Sequence, residues 1–289
     1  MKKITALALA AVMACGLAAC GTTANVTDSA ATADSATSGS ATADAATSDT
    51  ATAATAGGVA SLDDLAGKKI GVQLGTTGDI YASDDFGEEN VEKYNKGADA
   101  VQALKTGKVD AVIIDNEPAK IFVAQNDELT MLDTPYAEED YAMCLNKGSE
   151  LTAQFSAAIG ELKGDGTLEA ILDKYINKTE GAAGYVTPEG TEYPNGTLTM
   201  ATNAYFPPYE YYEGEAIVGI DAEFAKAICD KLGYELKIED MEFDSIIPAV
   251  TSGKVDFGAA GMTVTDERKV SVDFTDSYCT GVQSVIVKK

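Results

Sequence analysis

The chain has 289 residues and no histidine. That absence removes the usual general base, the Ser-His-Asp triad and most zinc sites together. Positive charge is also scarce: 21 Lys and Arg stand against 46 Asp and Glu, a net charge of −25. Such a chain is a poor partner for nucleic acid and is repelled by anionic lipid headgroups. A long apolar run is missing at the N-terminus. The stretch from Ile4 to Leu17, after Met1-Lys2-Lys3, falls short of the ~20 residues a membrane helix needs and has the flanks of a secretory signal. Cysteine is limited to five residues. Cys15 lies in that stretch and Cys20 just after it. Cys144, Cys229 and Cys279 remain, an odd number without metal-ligand spacing. They read as small buried hydrophobes, with one Cys144–Cys279 bridge left open. No metal site and no cofactor site is expected.

What is present begins with Leu17-Ala18-Ala19-Cys20-Gly21. Small residues running into a single Cys resemble a bacterial lipoprotein signal over residues 1–20, with Cys20 as the lipidated first residue. Acyl chains there would hold the protein on the outer face of the cell membrane. Residues 21–57 are almost entirely Ala, Thr, Ser, Gly and Asp. They offer too little apolar surface to offset the entropy of ordering, so they read as a disordered tether spanning roughly 35 Å.

Residues 58–289 suffice for one bilobal protein or two small domains. Within them Gly-Lys-Val-Asp occurs twice, at 107–110 and 253–256. Each copy follows a helical apolar pattern (Val101 and Leu104; Ile246, Ile247 and Val250) and leads into a short apolar run. A helix, a tight glycine turn and a buried strand have been used twice, which points to two similar α/β lobes around a cleft.

Strand and helix patterns alternate through both halves, predicting an α/β fold with mostly parallel sheets. Ligands in such sheets bind beyond the carboxyl ends of strands. Four groups stand there: Gly75-Thr76-Thr77, Asp115, Asn203 to Phe206, and Gly261 to Thr263. Thr76 and Thr77 open a helix whose free N–H groups and hydroxyls suit an anion. Arg268 offers a bidentate fork to a carboxylate. Asp115 supplies a negative charge from the other half, and Phe206 and Phe243 offer flat apolar faces. An α-amino acid needs this set. No paired carboxylates are evident at the rim, so acid-base chemistry would fall on Asp115 or Glu117.

Four segments carry a family resemblance: Leu65 to Val72, Phe206-Pro207-Pro208-Tyr209-Glu210-Tyr211, Gly219 to Phe224, and Gly261-Met262-Thr263 through Arg268. They resemble the family 3 extracellular solute-binding proteins, the amino-acid receptors of ABC importers, over nearly all of 61–289. The resemblance implies a periplasmic-binding-protein-like (type II) bilobal fold that delivers a polar L-amino acid to a transporter permease. It implies that Arg268 takes the ligand carboxylate, helped by Thr263 and N–H groups near Thr77. Asp115 with Gly261 takes the ammonium, Phe206 and Phe243 sandwich the side chain, and Asn203 and Gln73 read its end. A sensing module for a membrane receptor and a dehydratase-like enzyme are the alternative readings. Ala222 departs from the family pattern, where a larger aliphatic residue is usual.

The halves stand in the reverse of the family's order. The expected organisation is lobe 2 at 58–147, the C-terminal helices of lobe 1 at 148–177, a permutation linker at 178–196, the lobe 1 core at 197–283 and an interlobe crossing strand at 284–289. Circular permutation and a truncated tandem gene both account for this order. Permutation would open one of two crossings between the lobes. A monomer is expected, with a domain-swapped dimer as the alternative.

Overall fold

The computed structural model describes residues 58–289. The expected signal at 1–20, the expected lipidation site Cys20 and the expected tether at 21–57 lie outside the described residues. Among those described, no helix is long and apolar enough to cross a membrane.

The first half runs β1 (Ile70–Gln73), α1 (Thr77–Phe86), β2 (Val91–Tyr94), α2 (Gly97–Thr106), β3 (Ala111–Asp115), α3 (Asn116–Ala124), β4 (Leu129–Met131), β5 (Ala137–Tyr141) and β6 (Cys144–Asn146). Helices α4 (Glu150–Gly164) and α5 (Thr167–Leu172) follow. The second half runs β7 (Thr197–Thr202), β8 (Tyr205–Phe206), β9 (Glu210–Glu213), β10 (Ala216–Val218), α6 (Ile220–Lys231), β11 (Glu235–Asp240), α7 (Ile246–Thr251), β12 (Phe257–Gly258), α8 (Asp266–Ser271), β13 (Val272–Phe274) and β14 (Cys279–Lys288).

These strands form two main sheets. One has the order β2-β1-β3-β14-β4, with β5 also paired to β14; the other has the order β11-β7-β12-β6-β13. A small antiparallel sheet, β10-β9-β8, sits beside the second. The expectation of mostly parallel sheets holds for β1, β2 and β3 and for β7, β11 and β12. Strands β14 and β6 run antiparallel to their neighbours. Each of these two arrives from the other lobe, not through a helical crossover, so nothing forces it to be parallel.

Strand β3 is buried along its whole length because both faces of its sheet are covered. Ile113 packs with Val72, Val285 and Val287 on one face. Val112 and Ile114 pack with Ile286 and the α2 residues Val101 and Leu104 on the other. The second sheet buries Phe155, Phe224 and Phe257 in a core shared with α4 and α6. Phe155 and Phe257 meet edge to face, with centroids 5.0 Å apart.

The two Gly-Lys-Val-Asp copies adopt the same structure. Gly107 (φ 75°) and Gly253 (φ 72°) turn left-handed at the ends of α2 and α7, as glycine does without strain. The following Lys amide donates back to Ala103 O (2.9 Å) or Ala249 O (3.0 Å). The Asp side chain then accepts from the start of a neighbouring strand: Asp110 from Lys69 N (2.9 Å), Asp256 from Thr199 N (2.7 Å). Each motif locks a helix end to the strand beside it, and so fixes where β3 and β12 deliver their last residues.

Two lobe boundaries differ from expectation. Strand β6 lies between β12 and β13, so the chain changes lobe at Tyr141–Cys144, not at 147. Strand β14 joins the first sheet from Cys279, where Cys279 to Gln283 pair with β5, so the return crossing precedes 279 and not 284. Polar Thr280 and Gln283 conceal the start of this strand in the sequence. Both crossings are continuous chain and lie side by side. Tyr278 N donates to Tyr141 O (2.9 Å) and Thr275 N to Met143 O (3.0 Å). Neither crossing is opened.

Residues 178–196 contain no helix or strand. They are nonetheless fastened along α6. The hydroxyls of Tyr185 and Thr187 donate to Asp230 (3.0 and 2.7 Å), Lys226 donates to Tyr193 (2.8 Å), and Asn195 donates to Leu232 O (2.7 Å). Cys144, Cys229 and Cys279 are free thiols, so the Cys144–Cys279 bridge does not form.

Candidate functional site

One pocket between the two main sheets is lined by all ten residues singled out in the sequence: Gln73, Thr76, Thr77, Asp115, Asn203, Phe206, Phe243, Gly261, Thr263 and Arg268. Glu210 and Gln283 also line it. Gln73 and Asp115 end β1 and β3. Asn203 follows β7, and Gly261 and Thr263 follow β12.

Arg268 lies on α8, whose N-cap Thr265 accepts from the Arg268 amide. It is only 7% exposed and, among the described residues, forms no ion pair. Its Nη1 donates to Thr263 O (2.8 Å) and its Nη2 crosses to Gly75 O (3.0 Å). Its guanidinium lies over the Phe243 ring, 5.4 Å from the centroid. Burial pulls its pKa below the ordinary value, opposed by the Glu139 charge. A buried guanidinium held by neutral carbonyls is poised for an anion.

Helix α1 begins beside it. Thr76 caps the helix, accepting from Asp79 N (3.3 Å), and donates its hydroxyl to Gln73 O (2.8 Å). The Thr77 hydroxyl is 3.3 Å from that of Thr263. Thr76 and Thr77 at the start of α1 line the same pocket, and the first N–H groups of a helix have no partner within it.

Across the pocket, Asp115 is 2% exposed. Its Oδ2 accepts from Gln283 (3.1 Å), while Oδ1 has no partner. Burial raises its pKa well above the usual carboxylate value, and the charges of Glu139 and Glu117 add to this. Gln283 also donates to Glu139 (3.0 Å), and Glu139 accepts from the Thr263 hydroxyl (3.0 Å). A polar chain therefore runs Thr77–Thr263–Glu139–Gln283–Asp115 through both lobes and both crossing strands.

On the second-sheet side, Phe206 stacks on Tyr209 (5.6 Å, 26° between planes). Both carboxylate oxygens of Glu210 are buried without a donor. Its neighbour Asp221 accepts from Gly261 N and the Tyr278 hydroxyl, each at 2.7 Å. Burial raises the pKa of Asp221 to about 6, and that of Glu210 well above the ordinary value, the Asp221 charge adding to the latter. Asn203 and Gln73 meet directly: Gln73 Nε2 donates to Asn203 Oδ1 at 2.9 Å.

Sequence reasoning missed Glu139, Glu210 and Gln283. Glu210 sat within the quoted Phe206 to Tyr211 segment. A lone Gln in the apolar strand β14 was the only signal for Gln283.

Residues 198–289 match the family described as bacterial extracellular solute-binding proteins, family 3. This segment is similar to members of that family. It is 47% identical over 100 residues to the arginine-binding extracellular protein ArtP of Bacillus subtilis, covering 35% of this chain and 39% of ArtP. It is 32% identical over 122 residues to the L-cystine-binding protein TcyJ of Escherichia coli K12, covering 42% and 46%. A solved structure, the arginine-bound form of domain 1 from TmArgBP, is 40% identical; the match covers 32% of this chain and 81% of that one, with a TM-score of 0.28. The chain thus spans less than half the length of these two curated relatives. The matched family is described as one of extracellular solute-binding proteins.

Proposed function

We propose that this protein binds a polar L-amino acid between its lobes outside the cytoplasmic membrane and delivers it to the permease of an ABC importer. The observation that carries this reading is one pocket holding an unpaired buried cation on one lobe and a buried carboxylate with a bare oxygen on the other. Arg268, Thr263 and the N–H groups at Thr77 receive the α-carboxylate. Asp115 Oδ1 and the Gly261 carbonyl receive the α-ammonium. Phe206 and Phe243 flank the side chain. The names of the relatives, binders of arginine and of cystine, support an amino acid as the ligand.

Lipidation at Cys20 tethers the protein to the membrane, and the folded part works as a monomer. The halves are circularly permuted. Two observations support this. The family match is confined to 198–289, although residues 70–146 supply the remaining strands of both main sheets. Gly58 to Ala60 and Val287 to Lys289 line one surface cleft, so the two segments that permutation would separate are neighbours.

A thermal-shift screen of the twenty amino acids tests the function. A melting temperature raised by one polar amino acid is the expected result, and no response to any of them overturns it. Small-angle scattering should show compaction on ligand addition.

A further inference from the structure

Behind the pocket wall the hydrogens have fixed directions. Glu139 on β5 can only accept when ionised. Its Oε2 takes the hydrogen of the Thr263 hydroxyl (3.0 Å) and one hydrogen of the Gln283 amide (3.0 Å). The other Gln283 hydrogen goes to Asp115 Oδ2 (3.1 Å). With the Thr263 hydrogen committed, Thr77 is the donor in the contact between the two threonines. One neutral amide therefore holds two carboxyl groups, and the two oxygens it touches are no more than about 6 Å apart. Side chains supply Glu139 with two donors and Asp115 with one.

No cation compensates Asp115. Among the described residues neither Asp115 nor Glu139 forms an ion pair. Asp115 faces Glu117 on α3, Glu139 on β5, Tyr209 and Glu210 at the start of β9, and Cys279 and Gln283 on β14. Every one of these is acidic or neutral. Glu117 is matched by exposed Lys120 (2.6 Å). Arg268, the one cation among the residues lining the pocket, meets Thr263 O and Gly75 O, and its charge and that of Glu139 favour one another. Two ionised carboxylates so close and so dry repel, and one of them keeps a proton. Glu139 has the donors and the distant cation, so the proton falls to Asp115. Oδ2 already accepts, which leaves Oδ1, the oxygen without a partner, to carry it. Burial and then the Glu139 and Glu117 charges hold the proton there, against the backbone amides of Asn116 and Val282.

We propose that Glu139, which does not line the pocket, is a positioning residue that keeps Asp115 neutral until an ammonium group arrives, so that the ligand binds in exchange for a proton. This rests on the amino-acid reading above. The exchange balances. The Oδ1–H bond of Asp115 breaks, the proton passes to solvent, and the ligand's ammonium takes its place beside the new negative charge. By the same exchange, acidification drives the ligand off.

Two measurements on the purified protein test this. The first is a carbon-13 titration of protein labelled at its aspartate carboxyls, without ligand, in which the Asp115 signal is identified by its loss in Asp115→Asn. Its midpoint should lie well above that of the exposed aspartates. It should fall in Glu139→Gln, and Glu139→Asp should restore part of the shift. A midpoint in the ordinary range, or one unmoved in Glu139→Gln, overturns the role of Glu139. The second adds an equimolar mixture of the twenty amino acids, matched in pH, to weakly buffered protein containing an indicator dye. Below the Asp115 midpoint the parent should release about one proton per molecule, Glu139→Gln clearly less and Asp115→Asn none. A mixture that raises the melting temperature without releasing a proton overturns the inference and leaves the amino-acid reading intact. A mixture that does neither overturns the amino-acid reading and the exchange together, while the carbon-13 titration still decides whether Glu139 holds Asp115 neutral.

Discussion

Across the mouth of the cleft, the Lys96 ammonium of one lobe sits 3.4 Å from the centre of the Tyr205 ring of the other. Tyr205 in turn meets Tyr212 edge to face at 6.0 Å. The contact exists only when the lobes are together, so it favours the closed form. An exposed cation–π pair contributes about 0.5–1 kcal/mol. Lys96→Ala should therefore weaken ligand binding by about two- to fivefold, with little change in the denaturant midpoint of the unliganded protein. Titrations of the two proteins check this, and an unchanged affinity would show that the pair plays no part in closure.

The opposed pair at the heart of the pocket predicts a sharper result. Arg268→Ala removes a charge-assisted fork and Asp115→Asn removes the matching anion. Each should reduce affinity by at least about tenfold to a hundredfold, from about 1.5–3 kcal/mol per lost bond. Asp115→Asn carries an additional sign. Burial makes the ionised carboxylate unfavourable in the folded state, so this variant should melt higher than the parent at pH 7 without ligand. A lower melting temperature would show that Asp115 stabilises the unliganded fold.

Gly75 predicts a steric effect. It turns with φ 76°, and a Cβ added there would lie 3.1 Å from Asp244 Cβ on the facing lobe. Gly75→Ala should cost about 1–2 kcal/mol of stability through backbone strain. It should also weaken ligand binding, because the lobes can no longer meet at that point. Melting curves separate the first effect and titration the second; unaltered affinity would show that closure does not bring Gly75 and Asp244 together.

The buried carboxyls predict a pH dependence of stability. Asp221 is raised from 3.8 to about 6 by burial. The folded protein therefore keeps a proton that the unfolded chain releases, and stability falls as pH rises from about 4 to about 6, then levels off. The full difference is about 3 kcal/mol. Asp115 and Glu210 act in the same direction. Exposed Asp165 and the half-buried Asp273 and Glu239, held below the ordinary value by hydrogen bonds, reverse the trend at lower pH. The unliganded protein should melt higher at pH 5 than at pH 7, and Asp221→Asn should flatten that difference. A melting temperature that rises from pH 5 to pH 7 would contradict the assignment.

Much of the site was legible in the sequence because its residues follow strands. Asp115 and Thr263 come after the two Gly-Lys-Val-Asp turns, and Arg268 sits in a recognisable motif. Glu139 was not legible. It stands in Ala137-Glu138-Glu139-Asp140, which reads as a solvated acidic edge, yet it is 5% exposed. Its burial depends on Gln283, 144 positions away. The amides of Gln73 and Asn203 were equally hidden, since their orientation rests on the carbonyls of Asn95 and Met241, which no side-chain pattern reveals. The strap at 178–196 looked unstructured by composition, and only its bonds to Asp230, Lys226 and Leu232 order it.

Strand β14 makes the first sheet depend on distant sequence. It stands between β3 and β4, although it lies far along the chain from both. Strands β1, β2, β3, β4 and β5 cannot close into one sheet without it. Until its ten residues are in place, Ile113 and Val112 lack the neighbours Val285 and Ile286 that cover them. The first lobe is completed only by a segment from the second half, and the edge of β3 stays unpaired in any state that lacks that segment.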